Sequence, residues 1–186
     1  MRRMTTSPRD LSELPALPQD AAGRALERDG RLKRVNKTQV AIRPVAAGDH
    51  AAWLPLWRGY QSFYKVDIPA EVSEVTWRRL NDPAEPMAGA LAWSEGAAVG
   101  LVHHIRHRSC WTTGDYCYLQ DLYVAPELRG SGIGRQLIEY VYASAREQGL
   151  NRVYWLTHET NLEAMRLYDR IADRSGFVQY RHLLQR

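Results

Sequence analysis

The segment from Leu119 to Ala145 constrains this chain more than any other. Leu119-Gln120-Asp121-Leu122-Tyr123-Val124 reads as a strand, and the connection after it holds Pro126, Arg129, Gly130, Ser131, Gly132 and Gly134. A helix follows, with Ile133, Leu137, Ile138, Val141 and Ala145 on one apolar stripe and Gly149 closing it. Strand, glycine-rich turn and helix in that order make an anion cradle: glycines let the backbone approach closely, and the first-turn N–H groups and the helix dipole face the anion. Two common phosphate sites are excluded. No Gly-Lys-Ser/Thr follows Gly134, as a nucleoside-triphosphate loop requires, and the third glycine has the wrong spacing for a dinucleotide site.

The flanking sequence supplies the rest of a layered α/β domain. Val40 to Pro44 reads as a strand, and Gly48-Asp49 opens a helix to about Tyr64. Trp53, Trp57, Tyr60 and Tyr64 recur on one face of that helix, a pattern of core more than of a ligand cage. Pro69 opens a second helix to about Leu80, ended by Asn81-Asp82-Pro83. Met87 to Ser94 and Ala97 to His107 are strands joined through the turn Glu95-Gly96, and the strand that enters the glycine turn begins at Tyr116. Arg152 to Leu156 is a further strand, and Thr160-Asn161-Leu162-Glu163 has the spacing of a capping box. Ala164, Leu167, Tyr168 and Ile171 form the next helical stripe, Ser175-Gly176 ends it, and Phe177 to Leu184 reads as a last strand.

Charge is unevenly spread. The formal net charge is +4, yet residues 39–186 carry sixteen Lys or Arg against sixteen Asp or Glu, so the excess lies in residues 1–38 with nine against five. That segment has three prolines and no aromatic side chain, and it reads as a mostly disordered basic tail with a short helix around Asp20 to Glu27. Its basic residues are interrupted by acids, which argues against a nucleic-acid arm. The domain therefore spans 39–186. With 45% hydrophobic and 25% charged residues it fits one globular unit, and neither a spanning stretch nor an apolar leader core is present, so the expected location is the cytoplasm, with no membrane partner.

His103, His104, His107 and Cys110 lie close in sequence, but no second Cys/His pair has zinc-ligand spacing; no metal is expected, and the histidines are assigned to a solvated strand face or a substrate rim. A tight turn at Thr113-Gly114 would set Cys110 opposite Cys117 as paired thiols. Tyr64, Asp67, Glu71 and Glu74 put acids beside aromatics between the first two helices, a weak pointer to a cationic amine.

The run Arg129-Gly130-Ser131-Gly132-Ile133-Gly134 resembles the Arg/Gln-x-x-Gly-x-Gly/Ala loop of the GNAT N-acetyltransferases, preceded as there by a hydrophobic strand ending at Val124 and by Pro126. Asn161-Leu162-Glu163-Ala164-Met165-Arg166-Leu167-Tyr168, followed by Gly176-Phe177, is similar to that family's Asn-x-x-Ala-x-x-Leu-Tyr helix and terminal Gly-Phe. Tyr118 to Val124 and Val153 to Thr157 look most like the histone/polyamine subgroup with its diamine acetyltransferases. The resemblance implies the acyl-CoA N-acyltransferase fold: a mixed, mostly antiparallel sheet splayed between two parallel strands and flanked by about four helices.

It also implies direct transfer of an acetyl group from acetyl-CoA to a primary amine of a polyamine, an amino acid or a peptide. The backbone of Leu122, Tyr123 and Val124 would bond the pantetheine arm with Asn161, and the loop from Arg129 through Gly130, Ser131, Gly132, Ile133 and Gly134 to Arg135 would hold the pyrophosphate. Tyr168 matches the tyrosine that protonates the leaving thiolate, and a homodimer is expected. Where the diamine acetyltransferases carry adjacent Glu-Asp this chain has Gln120-Asp121, and Gln cannot accept a proton. Asp121 is the nearest candidate base, although strand alternation turns it away from Gln120's face unless a bulge re-aims it. A water relay to a more distant acid, or an amine deprotonated in solution, stays open beside it. Gln120 also motivates the alternative of an acyl-CoA-binding regulatory module without turnover.

Overall fold

The computed structural model describes residues 40–184. The tail assigned to residues 1–38, with its helix around Asp20 to Glu27, lies outside the described residues, as does the first residue of the expected domain.

Five strands and four helices follow one another as β1 (Val40–Pro44), α1 (His50–Tyr64), α2 (Ala70–Leu80), β2 (Met87–Ser94), β3 (Ala97–His107), β4 (Tyr116–Val124), α3 (Ile133–Glu147), β5 (Arg152–Tyr154) and α4 (Leu162–Ile171). The strands form one sheet in the order β1-β2-β3-β4-β5, antiparallel except for the parallel pair β4·β5. This is the mixed, mostly antiparallel architecture expected from the sequence. The hairpin β2–β3 turns at Glu95-Gly96, with Ser94 opposite Ala97.

Both faces of the sheet are covered, which is why β2 and β3 read as nearly unbroken apolar runs rather than as alternating strands. On one face Ala90, Ala92, Val102, Cys117 and Leu119 pack against the α3 stripe of Ile133, Leu137, Ile138, Val141 and Ala145. On the other, Leu91 and Leu101 pack against Trp53, Leu56 and Trp57 of α1 and Trp77 and Leu80 of α2. The entry to α1 is held by Asp49, which accepts two hydrogen bonds from the Arg43 guanidinium at 2.6 and 2.8 Å and one from the Ala46 N–H at 2.8 Å. The hydrogen-bonded guanidinium keeps the Asp49 carboxyl below its ordinary range.

Three expectations are corrected. Residues 177–184 form no strand: β5 is only three residues long and offers no extended ladder to a longer partner, so Phe177, Val178, Tyr180, Leu183 and Leu184 are exposed. Cys110 is not opposite Cys117. Pairing of β3 with β4 sets Arg106 against Cys117 and ends at His107 and Tyr116, leaving Cys110 exposed in the connecting loop and both thiols free. His103 and His104 are not on a solvated face either, because both faces of β3 are covered there, whereas His107 at the strand end is partly exposed. His103 points toward α1 and His104 toward Cys117, and both are buried.

His104 lies with its Nδ1 3.7 Å from the Cys117 sulfur. Burial, and secondarily the neighbouring His103, lowers its pKa from 6.5 to about 4, while burial pushes the Cys117 thiol up to about 11. Between pH 6.5 and 4 the unfolded chain binds a proton at His104 that the folded chain refuses, so stability is full above 6.5 and falls as pH drops toward 4. The expected loss is on the order of 1 kcal/mol per pH unit. Thermal melts across that window should show a steeper decline for the wild type than for His104→Gln; equal slopes would contradict the assignment.

Candidate active site

The site begins where β4 and β5 part. Their parallel pairing runs Tyr116 to Arg152, Cys117 to Val153 and Tyr118 to Tyr154, and there β5 stops while β4 continues to Val124. Beyond Tyr118 the β5 side of β4 is a free edge of backbone donors and acceptors, open to an extended ligand.

At the same point β4 carries an extra residue. His104 faces Leu119 and His103 faces Asp121, so Gln120 has no partner across the ladder. This bulge changes the phase of the strand. Cys117 and Leu119 face α3 before it, Leu122 and Val124 face α3 after it, and Asp121 and Tyr123 turn toward α1. Gln120 is exposed and Asp121 is 5% exposed. The bulge on which the role of Asp121 depended is therefore present.

Asp121 meets a network from α1 and β3. Trp53 Nε1 lies 2.9 Å from His103 Nε2, and His103 Nδ1 lies 3.0 Å from Asp121 Oδ2. An indole N–H only donates, so Nε2 accepts and the imidazole hydrogen sits on Nδ1, donated to the carboxylate. Tyr60, half-buried, follows the Trp53–Trp57 stack one turn along α1, its ring 5.4 Å from that of Trp57. Burial and then the Asp121 charge raise the Tyr60 phenol above its ordinary range, and the same two causes raise Tyr64 and Tyr118. These phenols stay protonated at neutral pH, and each lies near enough to Asp121 to be raised by its charge. The α1 stripe thus divides: Trp53 and Trp57 are core, whereas Tyr60 and Tyr64 line the site.

The glycine turn lies at the far end of the free edge. Gly130 and Gly132 have φ of +76° and +91°, in the left-handed region, and a side chain on either would meet nothing within 4 Å, so the space before the turn is clear. Gly132 is the N-cap of α3, and no side chain caps the helix, which leaves first-turn N–H groups available to an anion. Ser131 donates its hydroxyl back to the Leu128 carbonyl at 2.6 Å. Arg129 donates to the Val124 carbonyl at 3.2 Å and lies over the Phe63 and Tyr123 rings, and Arg135 bonds Glu139 at 2.7 Å. Ile133 is buried against β4 and β3, while Gly134 lies near Val124 and Leu167.

Asn161 and Tyr168 come from the start and the middle of α4. The capping box is not formed: Asn161 is the N-cap, its side-chain N–H donates to the Thr157 hydroxyl at 3.3 Å, and the Thr160 hydroxyl bonds His158 at 2.8 Å. Tyr168 stands edge-on to Trp155, with ring centroids 5.3 Å apart. Burial, and then Tyr64, pushes its phenol up to about 12, so it carries its hydrogen at neutral pH. Tyr64 is raised by burial first and by the Asp121 charge second, and it is in turn the second cause, after burial, of the rise at Tyr168. Asp67 and Glu71 are exposed and Glu74 is bonded to His50 at 3.1 Å, so the acid among the aromatics is Asp121 rather than the group expected between the first two helices. Trp53 and Tyr60 reach the surroundings of Asp121 although their stripe reads as core, and His103 joins them from β3.

Residues 53–172 match the family model described as the Acetyltransferase (GNAT) family. The chain is 38% identical over 151 residues to a D-amino-acid N-acetyltransferase of Saccharomyces cerevisiae, covering 80% of this chain and 93% of that one. It is 28% identical over 151 residues to a thialysine N-epsilon-acetyltransferase of Sus scrofa, covering 73% and 84%. A solved aminoglycoside N-acetyltransferase in complex with CoA shares the fold with a TM-score of 0.69 at 16% identity, over 78% of this chain and 95% of that one.

The geometry separates the glycines of the turn. Gly132→Ala should lower stability by about 1–2 kcal/mol through backbone strain alone, since a methyl group there collides with nothing. Gly134→Ala should be neutral or slightly stabilising, because its backbone is helical and its nearest contacts are at 3.8 and 3.9 Å. Denaturant melts of both variants check the contrast, and equal effects would contradict it.

Proposed function

The chain belongs to the GNAT acetyltransferase family, a group of acetyl-CoA-dependent N-acetyltransferases, and on that premise we propose that it acetylates the primary amine of a small molecule of the amino-acid class. The observation that carries this reading is the free edge of β4, opened where β5 stops and leading directly into the uncapped start of α3. Acetyl-CoA is long, partly peptide-like and anionic at one end, which suits an unpaired strand edge followed by an anion cradle. Leu122, Tyr123 and Val124 would bond the pantetheine amides, with Asn161 facing the arm from α4. Arg129, Gly130, Ser131, Gly132, Ile133, Gly134 and Arg135 would hold the pyrophosphate, Arg135 exchanging Glu139 for phosphate oxygens.

The chemistry needs a neutral amine, so a base must take one proton from the acceptor ammonium. Asp121, a carboxylate in a wall of protonated phenols, would take that proton and so release the amine. As the new C–N bond forms and the C–S bond breaks, Tyr168 would give its phenolic hydrogen to the departing thiolate and recover one from the new amide nitrogen. Asp121 then returns its proton to solvent, and the cycle closes with one proton released. The acceptor class is supported by the D-amino-acid N-acetyltransferase, 93% of whose length the chain covers.

Thiol release measured across D- and L-amino acids, lysine analogues, polyamines and aminoglycosides tests the acceptor: turnover should be fastest with a single-amine amino acid, and a preference for polyamines would contradict the reading. Tyr168→Phe should lower kcat by about 10²-fold with little change in acetyl-CoA affinity. Unchanged kcat would remove Tyr168 from the mechanism.

A further inference from the structure

We propose that Trp53 and His103 form a buried positioning relay that aims the Asp121 carboxylate at the acceptor amine and keeps it free to take a proton; the proposal rests on Asp121 being the base. Three groups from α1, β3 and β4, with exposures of 0%, 2% and 5%, meet at 2.9 and 3.0 Å. A buried carboxylate is ordinarily held by a cation, and a cation would lower its affinity for a proton. Among the described residues, Asp121 makes no contact with Lys or Arg within ion-pair distance, and its one such partner is His103.

Trp53 decides what kind of partner His103 is. With the indole N–H donated to Nε2, a second imidazole hydrogen would put two N–H groups face to face, so His103 supplies a hydrogen bond without supplying a charge. The carboxylate is oriented but not neutralised. The other titratable groups facing this trio do not alter its charge: Tyr60 and Tyr64 from α1 and Tyr118 from β4 stay protonated, and His104, next along β3, stays neutral at pH 7. The acceptor's proton therefore stops on Asp121, and neither His103 nor Trp53 gains or loses one.

The test compares kcat and its pH profile in wild type, His103→Asn, His103→Leu, Trp53→Phe and Asp121→Asn, with melting temperature and acetyl-CoA binding as folding controls. Asparagine carries an N–H near the position of Nδ1 and does not ionise, so His103→Asn should keep kcat within about threefold, whereas His103→Leu should lose about 10-fold or more with the KM for acetyl-CoA unchanged. Trp53→Phe removes the donor that fixes the His103 tautomer, so the N–H on Nδ1 is no longer held toward Asp121, and kcat should fall by about threefold or more with the KM for acetyl-CoA unchanged. If His103→Leu has wild-type kcat while Asp121→Asn is inactive, the relay is overturned and the base stands. If Asp121→Asn has wild-type kcat and profile, both fall. Unchanged kcat in folded Trp53→Phe, or His103→Asn as impaired as His103→Leu, also overturns the relay. Should the leucine variant not fold, the asparagine and phenylalanine variants decide the question by the same readings.

Discussion

The bulge at Gln120 is the constraint on which the site depends, because it shifts the phase of β4 in mid-strand. Cys117, Leu119, Leu122 and Val124 all face α3, although the first pair and the second differ by an odd number of positions. Without the extra residue Asp121 would point into the apolar layer under α3, where a carboxylate with no partner costs several kcal/mol. With it, Asp121 reaches His103. The parallel pairing with β5 ends two residues before the bulge, so the turned carboxylate and the open strand edge lie side by side.

Chemistry in this arrangement is set locally rather than by bulk charge. The domain region balances sixteen basic against sixteen acidic residues, and the site holds one carboxylate, an imidazole locked in one tautomer and several phenols raised by burial. A phenol that keeps its hydrogen serves as a proton donor, and a carboxylate paired with a neutral group remains a proton acceptor. The proposed acid, Tyr168, and the proposed base, Asp121, thus differ by their surroundings as much as by residue type.

Elements with strong local signals were legible in the sequence. The α3 stripe, the Glu95-Gly96 hairpin and the glycine turn follow from periodicity and turn chemistry, and the structure reproduces them at the expected residues. The spacing of Cys117, Leu119, Leu122 and Val124 already contains the phase shift, since an odd step separates the two apolar pairs. The relay could not be read, since Trp53 and Asp121 are each far along the chain from His103 and meet it only through packing and strand pairing. The expected last strand failed for a related reason: apolar content in 177–184 gives strand propensity, but a strand needs an edge, and the length of β5 is decided elsewhere in the sheet.

Hydrogen–deuterium exchange with and without acetyl-CoA tests the central claim, that the parted edge of β4 and the turn after it hold the cosubstrate. The account predicts new protection concentrated in residues 119–124 and 130–136. Tight binding that leaves those amides unprotected, with protection elsewhere in the domain, would contradict it.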